Sequence, residues 1–150
     1  MAQLPALPVF PASFAANAVP SSQVGAGIDI VLISRIQGSI DRFGDRFLNR
    51  VFTQDEQTYA QSSQALQAER LAARFAAKEA TLKALSMADK GIAWREMEVV
   101  RHADGRCDLH LHGKAAEHAR QHNVTQIALS LSHDGGYAAA IVVAVTIGVA

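Results

Sequence analysis

The run Phe75-Ala-Ala-Lys78-Glu79-Ala-Thr-Leu-Lys83-Ala-Leu85 constrains this chain more than any other stretch. Placed on a helix at about 100° per residue, Leu71, Phe75, Leu82 and Leu85 form one apolar stripe with Lys78 in its middle. Glu79 and Lys83, one helical turn apart, fall side by side on the flank of that stripe. Ala72 and Ala76 share their sector, so little bulk is expected in front of the carboxylate. A carboxylate beside an ammonium on a rigid element suits a metal ion and a phosphate. Taken alone, the helix reads more readily as an ordinary amphipathic element with one ion pair and a snorkelling lysine.

A second motif tips that balance. Gly25-Ala-Gly27-Ile28-Asp29-Ile30-Val31 leads into a run in which five of the six residues from Ile28 to Ile33 are aliphatic, the pattern of a strand buried on both faces. Asp29 lies inside it. An ionised carboxylate there costs several kcal/mol, of order 3–5, unless a cation or hydrogen-bond donors compensate. The alternative is a strand-end aspartate accepting backbone N–H bonds, with Gly27 serving a tight turn. One strand aspartate and one helix glutamate meet the need of a magnesium ion, which takes one or two protein carboxylates and completes its octahedron with waters and phosphate oxygens.

Gly27-Ile-Asp29-Ile, then Arg74-Phe-Ala-Ala-Lys78-Glu79-Ala-Thr-Leu-Lys83-Ala, then Ser130-Leu-Ser132-His133, stand in the order and spacing of holo-acyl-carrier-protein synthases. These are the small, trimeric bacterial 4'-phosphopantetheinyl transferases, and the resemblance runs from about Val24 to about Val145. It implies an α+β fold in which an antiparallel sheet packs on a long motif helix, and a homotrimer with active sites between subunits. It also implies transfer of 4'-phosphopantetheine from coenzyme A, the co-substrate, to a serine of an apo acyl carrier protein. Mg²⁺ would be held by Asp29 and Glu79. Glu79 and Lys83 are the implied catalytic residues, Glu79 or a metal-bound water being the base. Arg74, Lys78, Lys83, Ser132 and His133 are the candidate coenzyme A contacts. Arg35, Arg46, Phe47 and Arg50 resemble the positions that dock the acidic helix of the carrier. On charge count alone, these arginines equally fit a normal helix exterior.

The sequence departs from the family at three places. Leu32 stands where many relatives carry a glutamate, Ser86-Met-Ala-Asp-Lys90-Gly91 replaces a glycine-rich loop, and Gly105-Arg106-Cys107 replaces Gly-Lys-Pro. These changes leave two alternatives open: a related transferase serving a polyketide or polyunsaturated-lipid synthase, or a coenzyme A- or carrier-binding module without catalysis. The second predicts loss of Asp29, Glu79 or Lys83, and all three are present.

Composition bounds the remaining classes. The chain has 150 residues, 49% hydrophobic and 19% charged, enough for one domain with a core. Zero formal net charge gives no overall field toward nucleic acid or a membrane. The single cysteine, Cys107, excludes an internal disulfide framework and fits a cytoplasmic enzyme. All four prolines (Pro5, Pro8, Pro11, Pro20) precede Asp29, the first charged residue, so residues 1–23 are expected to be a flexible Ala/Pro-rich extension and 24–150 a single domain. The extension lacks the basic start and unbroken apolar core of a secretory signal.

Caps and turns order the elements. The strand Val24–Ile33 is followed by a helix opened by a Ser34/Gln37 capping box and running to about Leu48, with Gly44 a possible break. Thr53/Glu56 repeats the capping signal for a second helix across Tyr59. The motif helix spans about Glu69 to Leu85. Trp94–Arg101 and Cys107–His112 form a hairpin, Lys114–His122 a short helix ended by Asn123, and Gln126–His133 with Tyr137–Thr146 a second hairpin. His118 and His122 are expected in solvent.

Overall fold

The computed structural model describes residues 22–148, so the expected extension lies outside the described residues apart from Ser22 and Gln23, which already belong to the first strand. The elements are β1 (Ser22–Leu32), α1 (Ile33–Phe43), α2 (Asp45–Val51), α3 (Gln54–Gln61), α4 (Gln67–Ala84), β2 (Met97–Arg101), β3 (Cys107–Leu111), α5 (Gly113–Gln121), β4 (Val124–Asp134) and β5 (Tyr137–Ile147). Three long strands pair antiparallel in the order β1-β5-β4, and β2 and β3 form a separate hairpin. This is the expected α+β arrangement, with α4 lying across the sheet.

Contact between α4 and the sheet depends on very small residues. Ala72, Ala73, Ala76, Ala77, Ala80 and Ala84 are buried, as are Ala138, Ala140 and Ala144 on β5. At Gly25 and Gly27 the approach is closer still. A methyl at Gly25 would meet the Ala84 carbonyl oxygen at 2.2 Å, and one at Gly27 would meet the Ala80 carbonyl oxygen at 2.0 Å. Gly27 therefore serves no turn; it lets a helix backbone lie directly on a strand backbone. Ala72 and Ala76, expected to leave open space before Glu79, are fully buried in the core. The motif helix is covered on most of its circumference and carries no single apolar stripe.

The strand expected to be buried on both faces is covered on one. Val31 is buried against the helices, whereas Val24, Ile28 and Ile30 are 68%, 61% and 63% exposed. Tyr137, Ile141 and Ile147 on β5 share that open face, since Ile28 pairs with Ile141 and Leu32 with Tyr137. One side of the sheet is thus an uncovered apolar surface.

Local signals fared differently according to their tertiary partners. The Thr53/Glu56 capping box forms, with the Glu56 amide on Thr53 Oγ1 at 3.3 Å and the Thr53 amide on Glu56 Oε2 at 2.9 Å. The Ser34/Gln37 box does not. The cap falls two residues earlier, at Leu32; the Ile33 amide bonds the Gly136 carbonyl at 2.9 Å, and Gln37 donates to Asp41. Gly44, at φ 50°, splits α1 from α2 as its position suggested. His118, expected in solvent, is half-buried and donates from Nε2 to the Leu85 carbonyl at 2.9 Å. No helix among the described residues is long and apolar enough to cross a membrane.

Candidate active site

Because β1 and α4 run so close together, Asp29 on the strand and Glu79 and Lys83 on the helix come to one cleft. Lys83 Nζ donates to Asp29 Oδ1 and to the Ile28 carbonyl, both at 2.9 Å. The partner expected for Lys83 was Glu79, one turn back; the structure gives it Asp29, 54 residues away. The strand aspartate thereby gains the cation that its surroundings demand. Both groups keep contact with water, at 51% exposure for the Lys83 side chain and 19% for Asp29. The ammonium therefore remains open to a further anionic ligand.

Among the described residues, Glu79 has no ion pair of its own. Burial first, and then the nearby Asp29 charge, push its carboxyl above the usual value, and Lys83 opposes this only in part. A cavity of about 370 Å³ opens here, lined by Asp29, Glu79, Arg35, Ser39, Phe47 and Phe75 among others. Arg35 and Phe47 from α1 and α2 thus face the same space as the two acids, while Arg46 and Arg50 lie exposed on α2. Ser39 carried no motif signal, and Phe75, though it stands in the motif, was legible only as a stripe residue.

Among the described residues, no three or more His, Cys, Asp or Glu side chains converge as a metal site. A pair of carboxylates is still a sufficient protein share for magnesium. The residues fit that ion, because the Asp29–Glu79 repulsion that raises the Glu79 carboxyl is what a divalent cation between them would relieve.

Two expected phosphate contacts lie elsewhere. Lys78 is fully buried, and its ammonium donates to Glu56 Oε2 at 2.9 Å, to the Trp94 carbonyl at 3.0 Å and to the Met97 carbonyl. Those bonds use all three of its protons, leaving none for a phosphate. Arg74 is also buried, with its guanidinium 4.4 Å from the centre of the Tyr59 ring and one bond to the Arg70 carbonyl at 3.1 Å. It lines a separate cavity of about 230 Å³ with Asp55, Tyr59 and Arg101. Glu56, the key to this buried group, carried only a capping signal in sequence.

Ser132 and His133 sit on β4, the opposite edge of the sheet from β1. His133 Nδ1 lies 3.4 Å from Glu69 Oε2 near the start of α4. Ser132 lines a pocket of about 350 Å³ with Ile30 and Tyr137. Neither residue lines the Asp29–Glu79 cavity, and β5 sets β4 two strand spacings, roughly 10 Å, from β1.

Comparison with known proteins shows the family. A family model for the 4'-phosphopantetheinyl transferase superfamily matches residues 25–142. A holo-[acyl-carrier-protein] synthase of Koribacter versatilis is 48% identical over 121 residues, covering 80% of this chain and 96% of that protein. The apo-ACPS structure from Chronobacterium ammoniagenes superposes with a TM-score of 0.75 at 32% identity, covering 85% of this chain and all (100%) of that one. An ACPS–CoA complex from the same organism gives a TM-score of 0.71 at 34% identity, covering 81% and 96%.

Proposed function

The chain belongs to the 4'-phosphopantetheinyl transferase superfamily, and from that premise we propose the chemistry of its cleft as a holo-[acyl-carrier-protein] synthase. The reaction moves 4'-phosphopantetheine from coenzyme A to a serine of an apo acyl carrier protein. The serine Oγ attacks the diphosphate phosphorus that bears the pantetheine arm. The bond from that phosphorus to the bridging oxygen breaks, and adenosine 3',5'-bisphosphate leaves. The observation that supports this most is the meeting of Asp29, Glu79 and Arg35 around one partly open cavity, with Lys83 bonded to Asp29 at its side.

Phosphoryl transfers depend mainly on positioning and on neutralising charge. Asp29 and Glu79 would hold Mg²⁺, which when bound neutralises diphosphate charge. Lys83, anchored by Asp29 and the Ile28 carbonyl, presents its ammonium to a phosphate oxygen from a fixed direction. Glu79, facing the cavity beside Asp29, takes the serine proton. Arg35 with Arg46 and Arg50 forms the basic approach for an acidic carrier, and Phe47 supplies an apolar contact beside it.

The open sheet face argues for self-association into the homotrimer that the family resemblance implies. Its exposed Val24, Ile28, Ile30 and Ile141 need a cover, and β4 carries Ser132 and His133 at the far edge. In an assembly these two complete a neighbour's site and contact its coenzyme A. A cytoplasmic location follows from both substrates.

The test is incubation of the chain with coenzyme A, Mg²⁺ and apo carriers of the fatty-acid and megasynthase kinds, with each carrier weighed by mass spectrometry. A phosphopantetheine increment on the fatty-acid carrier supports the reading. An increment only on the megasynthase carrier shifts the partner. No increment on any carrier refutes transferase activity.

A further inference from the structure

Lys78 immediately precedes Glu79 on α4, yet its ammonium faces away from the cleft into a fully enclosed network. It donates to Glu56, to the Trp94 carbonyl and to the Met97 carbonyl. Glu56 in turn accepts from the Thr53 amide and the Val99 amide, both at 2.9 Å. One buried ion pair therefore ties the start of α3, the middle of α4, the turn before β2 and β2 itself into a single unit. Both side chains are at 0% exposure.

Such a pair is a poor way to gain stability. Desolvation of two charges consumes most of their attraction, and apolar residues of similar volume serve as well or better. What the pair does supply is direction. Lys78 and Glu79 are consecutive, about 100° apart around the helix, so fixing one fixes the angle at which the other leaves α4. The same ammonium holds the backbone of Trp94, whose ring stacks on Phe75 at 5.1 Å and 24°. Phe75 lines the cavity that Glu79 faces.

We propose that the Lys78–Glu56 pair is a positioning element for the cleft, locking the rotation of α4 and the Phe75 wall so that Glu79 confronts Asp29. Lys78 touches neither substrate nor metal. The proposal rests on the transferase reading for its effect on turnover, but its effect on cation binding stands apart from that reading.

The test uses the full chain and the double variant Glu56→Gln/Lys78→Met, which removes both charges together and leaves no unpaired buried ion. Three quantities are measured: the urea midpoint, Mg²⁺ binding by titration calorimetry with Mg²⁺ alone, and steady-state kinetics. The expected result is a chain that still folds, with a midpoint lowered by the loss of the donor to the Trp94 and Met97 carbonyls, and a Mg²⁺ dissociation constant raised about tenfold. kcat falls about 10–100-fold and the KM for carrier is unchanged, the scale on which outer-layer residues and small misplacements act. Wild-type Mg²⁺ binding and turnover in the folded double variant overturn the proposal. If the double variant does not fold, Glu56→Asp decides, because it keeps both charges and draws the carboxylate back by one methylene. Weaker Mg²⁺ binding in that variant supports positioning, whereas a lowered midpoint with unchanged Mg²⁺ binding overturns it. Absence of transfer by the wild type refutes the transferase reading, while the calorimetric comparison still tests the pair.

Discussion

Replacing Gly27 by alanine should damage fold and function together, because one methyl group wedges the two elements that carry the site. The added Cβ would stand 2.0 Å from the Ala80 carbonyl oxygen, 2.8 Å from the Ala84 nitrogen and 2.9 Å from the Ala80 carbonyl carbon. Ordinary contact begins at 3.4 Å, so strand and helix must part by about 1.4 Å (3.4 − 2.0) at this point. All three obstructing atoms are backbone, and no rotamer change relieves them. Overpacking on this scale costs about 1–3 kcal/mol or more. The displacement also acts on chemistry, since Lys83 on α4 reaches Asp29 and Ile28 on β1 across the same seam at 2.9 Å. Misplacement of catalytic groups by about 1 Å is worth on the order of 10²-fold in rate. Gly38→Ala is the control, because nothing lies within 4 Å of its Cβ and alanine in a helix gains about 0.5–1 kcal/mol over glycine. Urea unfolding and carrier modification rates are measured for both variants. Gly27→Ala with wild-type stability and turnover would refute the close-contact argument.

Glu79→Gln should cut turnover by about 10² or more while leaving the metal-free fold at least as stable as wild type at neutral pH. The raised carboxyl means that the folded wild type loses stability as pH rises above 4.5 toward its own higher pKa, and the amide escapes that loss; thermal melts against pH measure the difference. At Glu98 burial raises the carboxyl, but bonds from His112 and Thr53, with the His112 and Lys78 charges, together outweigh it and hold the group below 4.5. Its stabilising contribution is complete above pH 4.5 and lost as pH falls through the depressed value, so the stability gap between wild type and Glu98→Gln should be present at pH 7 and close at lower pH. Ile28→Glu and Ile141→Glu place charges on paired positions of the open sheet face and should yield monomers that transfer poorly; sedimentation equilibrium showing an unchanged assembly would count against that face as the interface.

What could be read from sequence followed the range of each interaction. The motif helix, expected over 69–85, spans Gln67–Ala84, and both hairpins and the Gly44 break are where turn chemistry put them, because their signals are local. Lys78 was misjudged because its partner Glu56 is 22 residues upstream and was already accounted for as a cap. Gly27 was legible as special but not as a contact glycine, since a close approach depends on the distant Ala80 backbone. Ser34 lost its capping role to a bond between Ile33 and the β4–β5 turn, about a hundred residues away in sequence (|33 − 136|). At the cleft, the charges that pattern singled out on β1 and α4 do come together, but the pairing differs: tertiary geometry set Lys83 on Asp29 and left Glu79 alone.

The central claim is that Asp29 and Glu79 share one divalent cation against the coenzyme A diphosphate. Crystals grown with coenzyme A and Mn²⁺ test it through the anomalous signal of manganese. The account predicts a single strong peak bonded to a carboxylate oxygen from each residue, with a diphosphate oxygen completing the contact. A peak bound elsewhere, or Asp29 and Glu79 both turned away from it, would contradict the account.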